Sequence, residues 1–268
     1  MELSLLNGLK SKIGYTFRAC LYGPLSMLRD LNICMWHTGR CGSTVIADLI
    51  MQDGRITWGG ELLEGVSKRW SQNTISNDIS EKIYRKIKKV QMIAGWRPFG
   101  FEMKLWHHKR LELEFDQVYS IVQKLGFNKH IILERKNYLR QAVSWHVARA
   151  RGQTHLKKGQ QRELVKIKLN VNEDSRLLYG LRLYTDYYKE LREKLPEESL
   201  YLCYEDDIQS DPNEGYRKIM EHLNYSPKRD VSTQHVKTNP YKLADVIENF
   251  DEVGNYLKDT PFHWMVES

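Results

Sequence analysis

The chain has 268 residues, 41% of them hydrophobic and 28% charged, which is the composition of an ordinary globular protein with enough apolar mass for a core. Lysine and arginine (41) exceed aspartate and glutamate (34) by seven. No apolar run approaches the ~18 residues of a membrane-spanning helix, so the sequence predicts a protein without a transmembrane segment.

The cysteine pattern and the N-terminal residues indicate where in the cell the protein is expected to be. Cys20, Cys34, Cys41 and Cys203 form no C-x-x-C pair, which argues against a zinc site. Polar residues interrupt the start of the chain, which makes a poor signal peptide, and residues 1–30 are predicted to be an N-terminal extension. We therefore expect free thiols, a reducing environment and a cytoplasmic location.

Short apolar runs alternate with amphipathic stretches along the chain. The predicted strands are Asn32–Trp36, Phe101–Trp106, Lys129–Glu134 and Leu200–Tyr204. The predicted helices are Val45–Ile50, Ile79–Ile93, Phe115–Leu125, Tyr138–Ala150 and Arg176–Leu195. This alternation predicts an α/β fold with a central, mainly parallel sheet flanked by helices in three layers, formed by one domain over residues 1–268.

The positive charge is concentrated in one segment. Between Val147 and Lys168 seven basic residues are opposed only by Glu163. The polar stretch 151–171 is weakly periodic, so we interpret it as a basic excursion from the core or a lid, facing an anion or simply solvent.

The first predicted strand runs into a glycine-containing loop, "TGRCGST", followed by a helix. We call this segment, Thr38–Thr44, the anion loop. Backbone N–H groups at a helix N-terminus attract anions, and Arg40, Ser43 and Thr44 add donors. The loop lacks the Gly-Lys-Ser/Thr ending of nucleotide P-loops. It suits a tetrahedral oxyanion, although Ser43 also fits an ordinary helix N-cap.

A second strand–turn–helix stretch, "IILERKNYLRQAVSWHVARA", spans residues 131–150. Arg135 follows the strand, at the end where open α/β sheets bind ligands. Ser144 lies nine residues further on, within the predicted helix. A cation and a hydroxyl in this arrangement predict a second phosphate contact.

Together the two stretches resemble the sulfotransferases that use 3′-phosphoadenosine 5′-phosphosulfate (PAPS). "HTGRCGST" is similar to their 5′-phosphosulfate loop and "LERKNYLRQAVS" to their 3′-phosphate segment. The likeness runs from about Asn32 to the end and is greatest for bacterial, carbohydrate-directed, trehalose-sulfotransferase-like members. It implies a P-loop-like fold and metal-free transfer of sulfuryl to an acceptor hydroxyl, with adenosine 3′,5′-bisphosphate (PAP) as product. The implied acceptor is a small molecule, glycan or glycolipid, and no nucleic acid is involved.

The resemblance also implies roles for individual residues. Donor binding is implied for Arg40, Cys41, Gly42, Ser43, Thr44, Arg135, Ser144 and Lys237. Catalytic roles are implied for Glu61, His107, Arg40 and Lys104, with no metal ligand. Arginine keeps its proton, so Arg40 would act as an electrostatic clamp and not as an acid.

Two residues compete for the role of general base. Glu61 follows the turn "WGG" and matches the base of the trehalose-type enzymes by its position after the anion loop. His107 follows a predicted strand that contains Lys104, an arrangement found in other branches of the family. Trp58 and Trp36 are candidates for stacking on the adenine.

Two other classes of protein remain possible from the sequence. A P-loop nucleotide kinase would need the missing Lys-Ser/Thr and a magnesium-binding carboxylate. A non-catalytic polyanion-binding protein fits the charge of +7, but no nucleic-acid-binding motif supports it.

Overall fold

The computed structural model describes residues 24–65, 79–153, 156–157, 159–160, 163–172, 176–233, 235–236 and 239–267. Lys237 and most of the predicted N-terminal extension lie outside these ranges.

A central parallel sheet is flanked by helices, which confirms the predicted fold class. The strands are β1 (Asn32–His37), β2 (Thr57–Trp58), β3 (Phe99–Lys104), β4 (Lys129–Glu134), β5 (Leu156–Lys157), β6 (Leu200–Cys203) and β7 (His235–Val236). Five of them form the sheet in the order β2-β3-β1-β4-β6, while β5 and β7 pair antiparallel. In the β1–β3 pair the register runs from Asn32 opposite Phe99 to His37 opposite Lys104.

The helices in the described ranges are α1 (Ser43–Asp53), α2 (Ile79–Ile93), α3 (Leu105–Lys109), α4 (Phe115–Lys124), α5 (Tyr138–Arg151), α6 (Arg176–Lys194), α7 (Pro212–His222), α8 (Leu243–Val246), α9 (Phe250–Leu257) and α10 (Trp264–Glu267). A 3₁₀ turn (Pro24–Leu28) precedes β1 and a π turn (Tyr204–Ile208) follows β6. None of the helices in this part of the chain has both the length and the apolarity to cross a membrane.

Most predicted bounds agree with the structure to within one residue. The exceptions are α1, which begins two residues earlier and ends three residues later than predicted, and β3, which begins and ends two residues earlier. Lys104 is extended (φ −99°, ψ 147°), and the helical turn α3 begins at Leu105. The predicted strand end at Trp106 was therefore wrong, because an apolar run continued through a change of backbone conformation.

All six residues of β1 are buried, as expected of a strand covered on both faces. Trp36 is fully buried and packs against Phe115 and Tyr119, and its indole donates to His130 Nδ1 at 3.2 Å. The suggestion that Trp36 stacks on adenine was therefore wrong, since this ring belongs to the core. Cys34, Cys41 and Cys203 are buried free thiols.

The chain forms two compact units that alternate along the sequence. The first consists of Met1–His37 and Ile50–Ile131, within the described residues, and the second of Thr38–Leu49 and Ile132–Ser268. The anion loop and the first part of α1 therefore have their internal contacts with the C-terminal half of the chain.

The end of the predicted basic excursion is anchored within the second unit. The amide of Ile167 donates to the carbonyl of Val246 at 2.8 Å, and its carbonyl accepts from Glu248 N at 2.9 Å. Two residues on, the amide of Leu169 donates to Asn249 Oδ1 at 3.0 Å. A lid function for residues 151–171 stays a prediction.

Arg29 is a buried cation that ties the start of β1 to the end of α2. Its guanidinium donates to the carbonyls of Arg97 (2.7 Å), Gln91 (2.6 Å) and Gly95, and to Asn32 Oδ1 (3.2 Å). Burial lowers the pKa of Arg29 to about 10. The side chain therefore supplies donors that these buried carbonyls would otherwise lack.

Replacing Arg29 by methionine is expected to lower the free energy of unfolding by about 3 kcal/mol, because several buried acceptors lose their donor together. Urea denaturation followed by circular dichroism measures this. Arg85→Met is the control: Arg85 is exposed and forms a surface ion pair with Glu81, so a change within about 0.5 kcal/mol is expected. Equal effects of the two substitutions would contradict the structural role of Arg29.

Candidate active site

Two of the residues with positive φ in the anion loop are glycines, which adopt this backbone conformation without strain. Gly39, Arg40 and Gly42 have φ of 88°, 55° and 92°, all in the left-handed region. A Cβ on Gly42 would lie 2.9 Å from the Tyr204 ring, so no other residue fits without displacement. The last two residues of the loop, Ser43 and Thr44, begin α1, and the first N–H groups of a helix have no acceptor within it.

Arg40 connects the anion loop to α5. Its Nε and Nη2 lie 3.1 and 3.0 Å from Ser144 Oγ, although the two residues are 104 positions apart. Arg135 Nη1 donates to the carbonyl of Arg40 at 3.2 Å. The two predicted anion-contacting segments, represented by Arg40, Arg135 and Ser144, therefore lie together in the second unit.

Arg135 is a cation that is only 6% exposed. Its guanidinium lies over the Tyr204 ring at 4.7 Å, and its Nε is 3.8 Å from Glu205 Oε1, beyond hydrogen-bond distance. The Glu205 carboxylate instead accepts from the amides of Lys136 (2.9 Å) and Asn137 (3.2 Å) at the start of α5. Burial lowers the pKa of Arg135, and Tyr204 and Glu205 oppose that shift. Among the described residues no carboxylate lies within hydrogen-bond distance of this buried guanidinium, so its charge is available to pair with an anion.

Gln141 on α5 stabilises the anion loop through hydrogen bonds to its first two residues. Its Nε2 donates to Thr38 Oγ1 at 2.5 Å and to the carbonyl of Gly39. Tyr188 on α6 lies 3.0 Å from Thr38 Oγ1 and donates to the carbonyl of Leu133 at 2.8 Å. These contacts fix the loop before any ligand arrives.

Arg140 adds positive charge on the first turn of α5. It donates to the carbonyl of Tyr241 at 3.2 Å, and burial lowers its pKa. The charge of Arg140 also contributes to lowering the pKa of Arg135, an effect that a nearby anion would oppose.

A second group of ionisable residues lies in the first unit, and we call it the carboxylate cluster: Glu61, Glu64, Lys104, His107 and Arg110. Lys104 ends β3, and its ammonium contacts the Glu61 carboxylate and lies 3.5 Å from Glu64 Oε2. Glu64 also lies 3.3 Å from His107 Nε2 and 3.5 Å from Arg110 Nη1. Lys104 is thus a close cationic partner of Glu61, while Lys104, His107 and Arg110 can each donate to Glu64.

The hydrogen bonds of His107 define its tautomer. The Lys104 amide donates to Nδ1 at 3.2 Å, so in the neutral ring the proton resides on Nε2, which faces Glu64. Burial lowers the pKa of His107, although its hydrogen bond with Glu64 raises it in part. The neighbouring His108 is also buried, and burial lowers its pKa to about 4.

Glu61 lies between two histidine–carboxylate pairs. The second pair is His37 Nε2 with Glu102 Oε2 at 3.1 Å, and Trp58 Nε1 donates to Glu102 Oε1 at 3.0 Å. The ligand-type atoms of His37, Glu61 and Glu102 lie within 4.8 Å of one another, as do those of Glu61, Glu64 and His107. The Lys104 ammonium already provides a cation at Glu61. The absence of a metal stays a prediction.

The structure groups the predicted site residues into two sets. The second unit contains Arg40, Cys41, Gly42, Ser43, Thr44, Arg135 and Ser144. The first unit contains Glu61, Lys104 and His107. Sequence reasoning missed Glu64, His37 and Glu102; Glu64 lies three residues after Glu61, a spacing that brings side chains together in a helical turn.

The fold resembles that of solved enzymes, although no family model and no curated protein matches the sequence. A sulfotransferase from Alicyclobacillus acidocaldarius aligns with a TM-score of 0.51 and 14% identity, over 88% of this chain and 94% of that one. A deoxyadenosine kinase from M. mycoides, solved with bound dCTP, aligns with a TM-score of 0.37 and 15% identity, over 72% and 99%. At such identities the likeness to the sulfotransferase shows the fold alone.

Proposed function

We propose that the protein is a sulfotransferase that moves a sulfuryl group from PAPS to the hydroxyl of a small-molecule or glycan acceptor. The observation that carries the proposal is the buried guanidinium of Arg135 beside Arg40 and Ser144, in a loop-and-helix arrangement without a P-loop lysine. A donor with one phosphate at each end needs two anchoring points, and the two segments offer them.

In this proposal the anion loop binds the 5′-phosphosulfate and Arg135 with Ser144 binds the 3′-phosphate. The acceptor oxygen forms a bond to sulfur while the bond from sulfur to the 5′-phosphate oxygen breaks, releasing PAP. Negative charge then builds on that leaving oxygen. Arg40 and the N–H groups at the start of α1 stabilise the charge, because both are fixed in place beforehand.

We assign the general base to Glu61 and not to His107. The only ring nitrogen of neutral His107 that can accept a proton is Nδ1, and the Lys104 amide already occupies it. Glu61 is partly exposed, with a carboxylate that can accept the acceptor's proton. His107 then orients Glu64, and Lys104 orients Glu61.

Both the anion loop and the carboxylate cluster follow the carboxyl ends of parallel strands. The anion loop continues from β1, Glu61 follows β2 and Lys104 ends β3, and these three strands are parallel neighbours. In open α/β sheets ligands bind beyond the carboxyl ends of the strands.

Calorimetric titration with PAP, with ATP and Mg²⁺, and with heparin in parallel tests the donor class. We expect PAP to bind with a stoichiometry of one and more tightly than ATP by at least about tenfold, because ATP lacks the 3′-phosphate that Arg135 would contact. Tighter binding of ATP with Mg²⁺ would indicate a kinase. Binding of heparin that weakens steeply with salt, without any PAP binding, would indicate a polyanion-binding protein.

A further inference from the structure

A cavity of about 380 Å³ opens between α5 and α6 in the second unit. It is lined by three sets of residues, two helical and one from the segment before α6: Ala142 and His146; Arg176, Leu177, Gly180, Leu181 and Tyr184; Leu169 and Asn170. Its volume falls in the range of small-molecule sites in proteins.

The cavity follows from small residues in a helix–helix contact. The two helices meet where the Tyr138 and Tyr184 rings pack edge to face at 5.7 Å. One turn further along α5 stands Ala142, and one turn back along α6 stands Gly180. Neither side chain fills the space between the helix axes, so a gap remains open towards His146.

Gly180 is not required by the backbone or by packing. It lies in the middle of α6, where glycine costs about 1 kcal/mol of stability relative to alanine. Its φ is not in the left-handed region, and an added Cβ would meet no atom within 4 Å. A larger residue would therefore stabilise the helix and reduce the cavity, so glycine at this position preserves the space.

The lining combines an apolar wall with a positive mouth. Leu169, Leu177 and Leu181 supply apolar surface, while Arg176 and His146 are basic lining residues. None of the lining residues that the structure describes is acidic. Burial lowers the pKa of His146, and the nearby Arg149 lowers it further, so near neutral pH His146 offers an uncharged hydrogen-bonding ring. Arg176 is then the charged group that a ligand would meet.

We propose that this cavity binds a small amphiphilic organic anion, with an apolar body between α5 and α6 and a carboxylate or sulfonate at Arg176. The site is separate from the proposed donor site. Ser144 and His146 are two residues apart, so their side chains leave α5 about 200° apart, on opposite faces of the helix. The proposal does not depend on the proposed function.

Two fluorescent probes that share an aromatic body test the proposal. 8-Anilinonaphthalene-1-sulfonate carries a sulfonate, and N-phenyl-1-naphthylamine is its uncharged counterpart. We expect both to bind the wild type with a stoichiometry of one, the anion more tightly. Arg176→Gln should weaken binding of the anion roughly tenfold and leave the neutral probe unchanged. Gly180→Leu should abolish binding of both, because leucine fills the gap.

Controls separate this site from others. Arg182→Gln changes an exposed arginine on the same helix that does not line the cavity, and it should leave both affinities unchanged. Arg176 is exposed at the start of α6, so we expect the Arg176→Gln protein to fold as the wild type does. Unchanged anion binding in Arg176→Gln, or displacement of the probe by PAP, overturns the proposal. Failure of PAP to bind while the probes behave as expected would count against the proposed function alone.

Discussion

Replacing Arg135 by glutamine is expected to weaken PAP binding roughly 100-fold, because charge-assisted hydrogen bonds to a buried guanidinium contribute about 1.5–3 kcal/mol each. Arg135 is 6% exposed, and water cannot replace it readily. Arg135→Lys should give an intermediate loss, since lysine keeps the charge but not the two-pronged geometry. Isothermal titration calorimetry measures all three affinities.

The control for Arg135 is Arg85→Gln, which removes an exposed arginine whose recorded ion pair is with Glu81. It should bind PAP as the wild type does. Thermal unfolding of each variant checks that the fold persists, since Arg135 also donates to the carbonyl of Arg40. A folded Arg135→Gln protein with unchanged PAP affinity would remove the donor-binding role from this residue.

Replacing Glu61 by glutamine is expected to reduce turnover by roughly 10²–10⁴ while PAP affinity is kept, the usual scale for losing a general base. Glutamine keeps the size of the side chain but cannot take up the acceptor's proton. The measurement is release of PAP from PAPS in the presence of a hydroxyl acceptor that the wild type uses, combined with calorimetry of PAP.

His107→Gln discriminates between the two candidate bases. A glutamine amide can still donate towards Glu64, so we expect turnover within about tenfold of the wild type if histidine only orients that carboxylate. Glu193→Gln, on the exposed side of α6, should have no effect. An inactive His107→Gln protein beside an active Glu61→Gln protein would move the role of base to His107.

Much of the secondary structure could be predicted from the sequence, because hydrophobic periodicity follows from which residues are buried. Lys129–Glu134 and Ile79–Ile93 have the predicted bounds, since each is a clean apolar run or amphipathic stretch. The two-residue strands Thr57–Trp58 and Leu156–Lys157 were not predicted, because their pairing depends on partners elsewhere in the chain and not on a local pattern.

The sequence indicated part of the candidate site as individual residues, but it did not indicate the contacts between them. The loop motif indicated Arg40 and the strand end indicated Arg135. The hydrogen bond between Arg40 and Ser144 joins positions 104 apart and depends on tertiary packing. The hydrogen bonds of the candidate bases could not be predicted either. The sequence "WHHK" does not indicate that a backbone amide donates to Nδ1 of His107. The choice between the two candidate bases therefore depends on side-chain geometry, which the sequence does not supply.

The interleaving of the two units has a consequence for synthesis on the ribosome. Thr38–Leu49 is translated early, but its partners within the second unit begin at Ile132. Gln141, Ser144 and Tyr188, which hold the anion loop, emerge only after at least 92 further residues, from position 49 to 141. A nascent chain that stops near residue 131 thus exposes a segment without the residues that shape it. Such long sequence separations slow folding, so the anion loop reaches its final conformation late, and a truncated product would lack the residues that hold it.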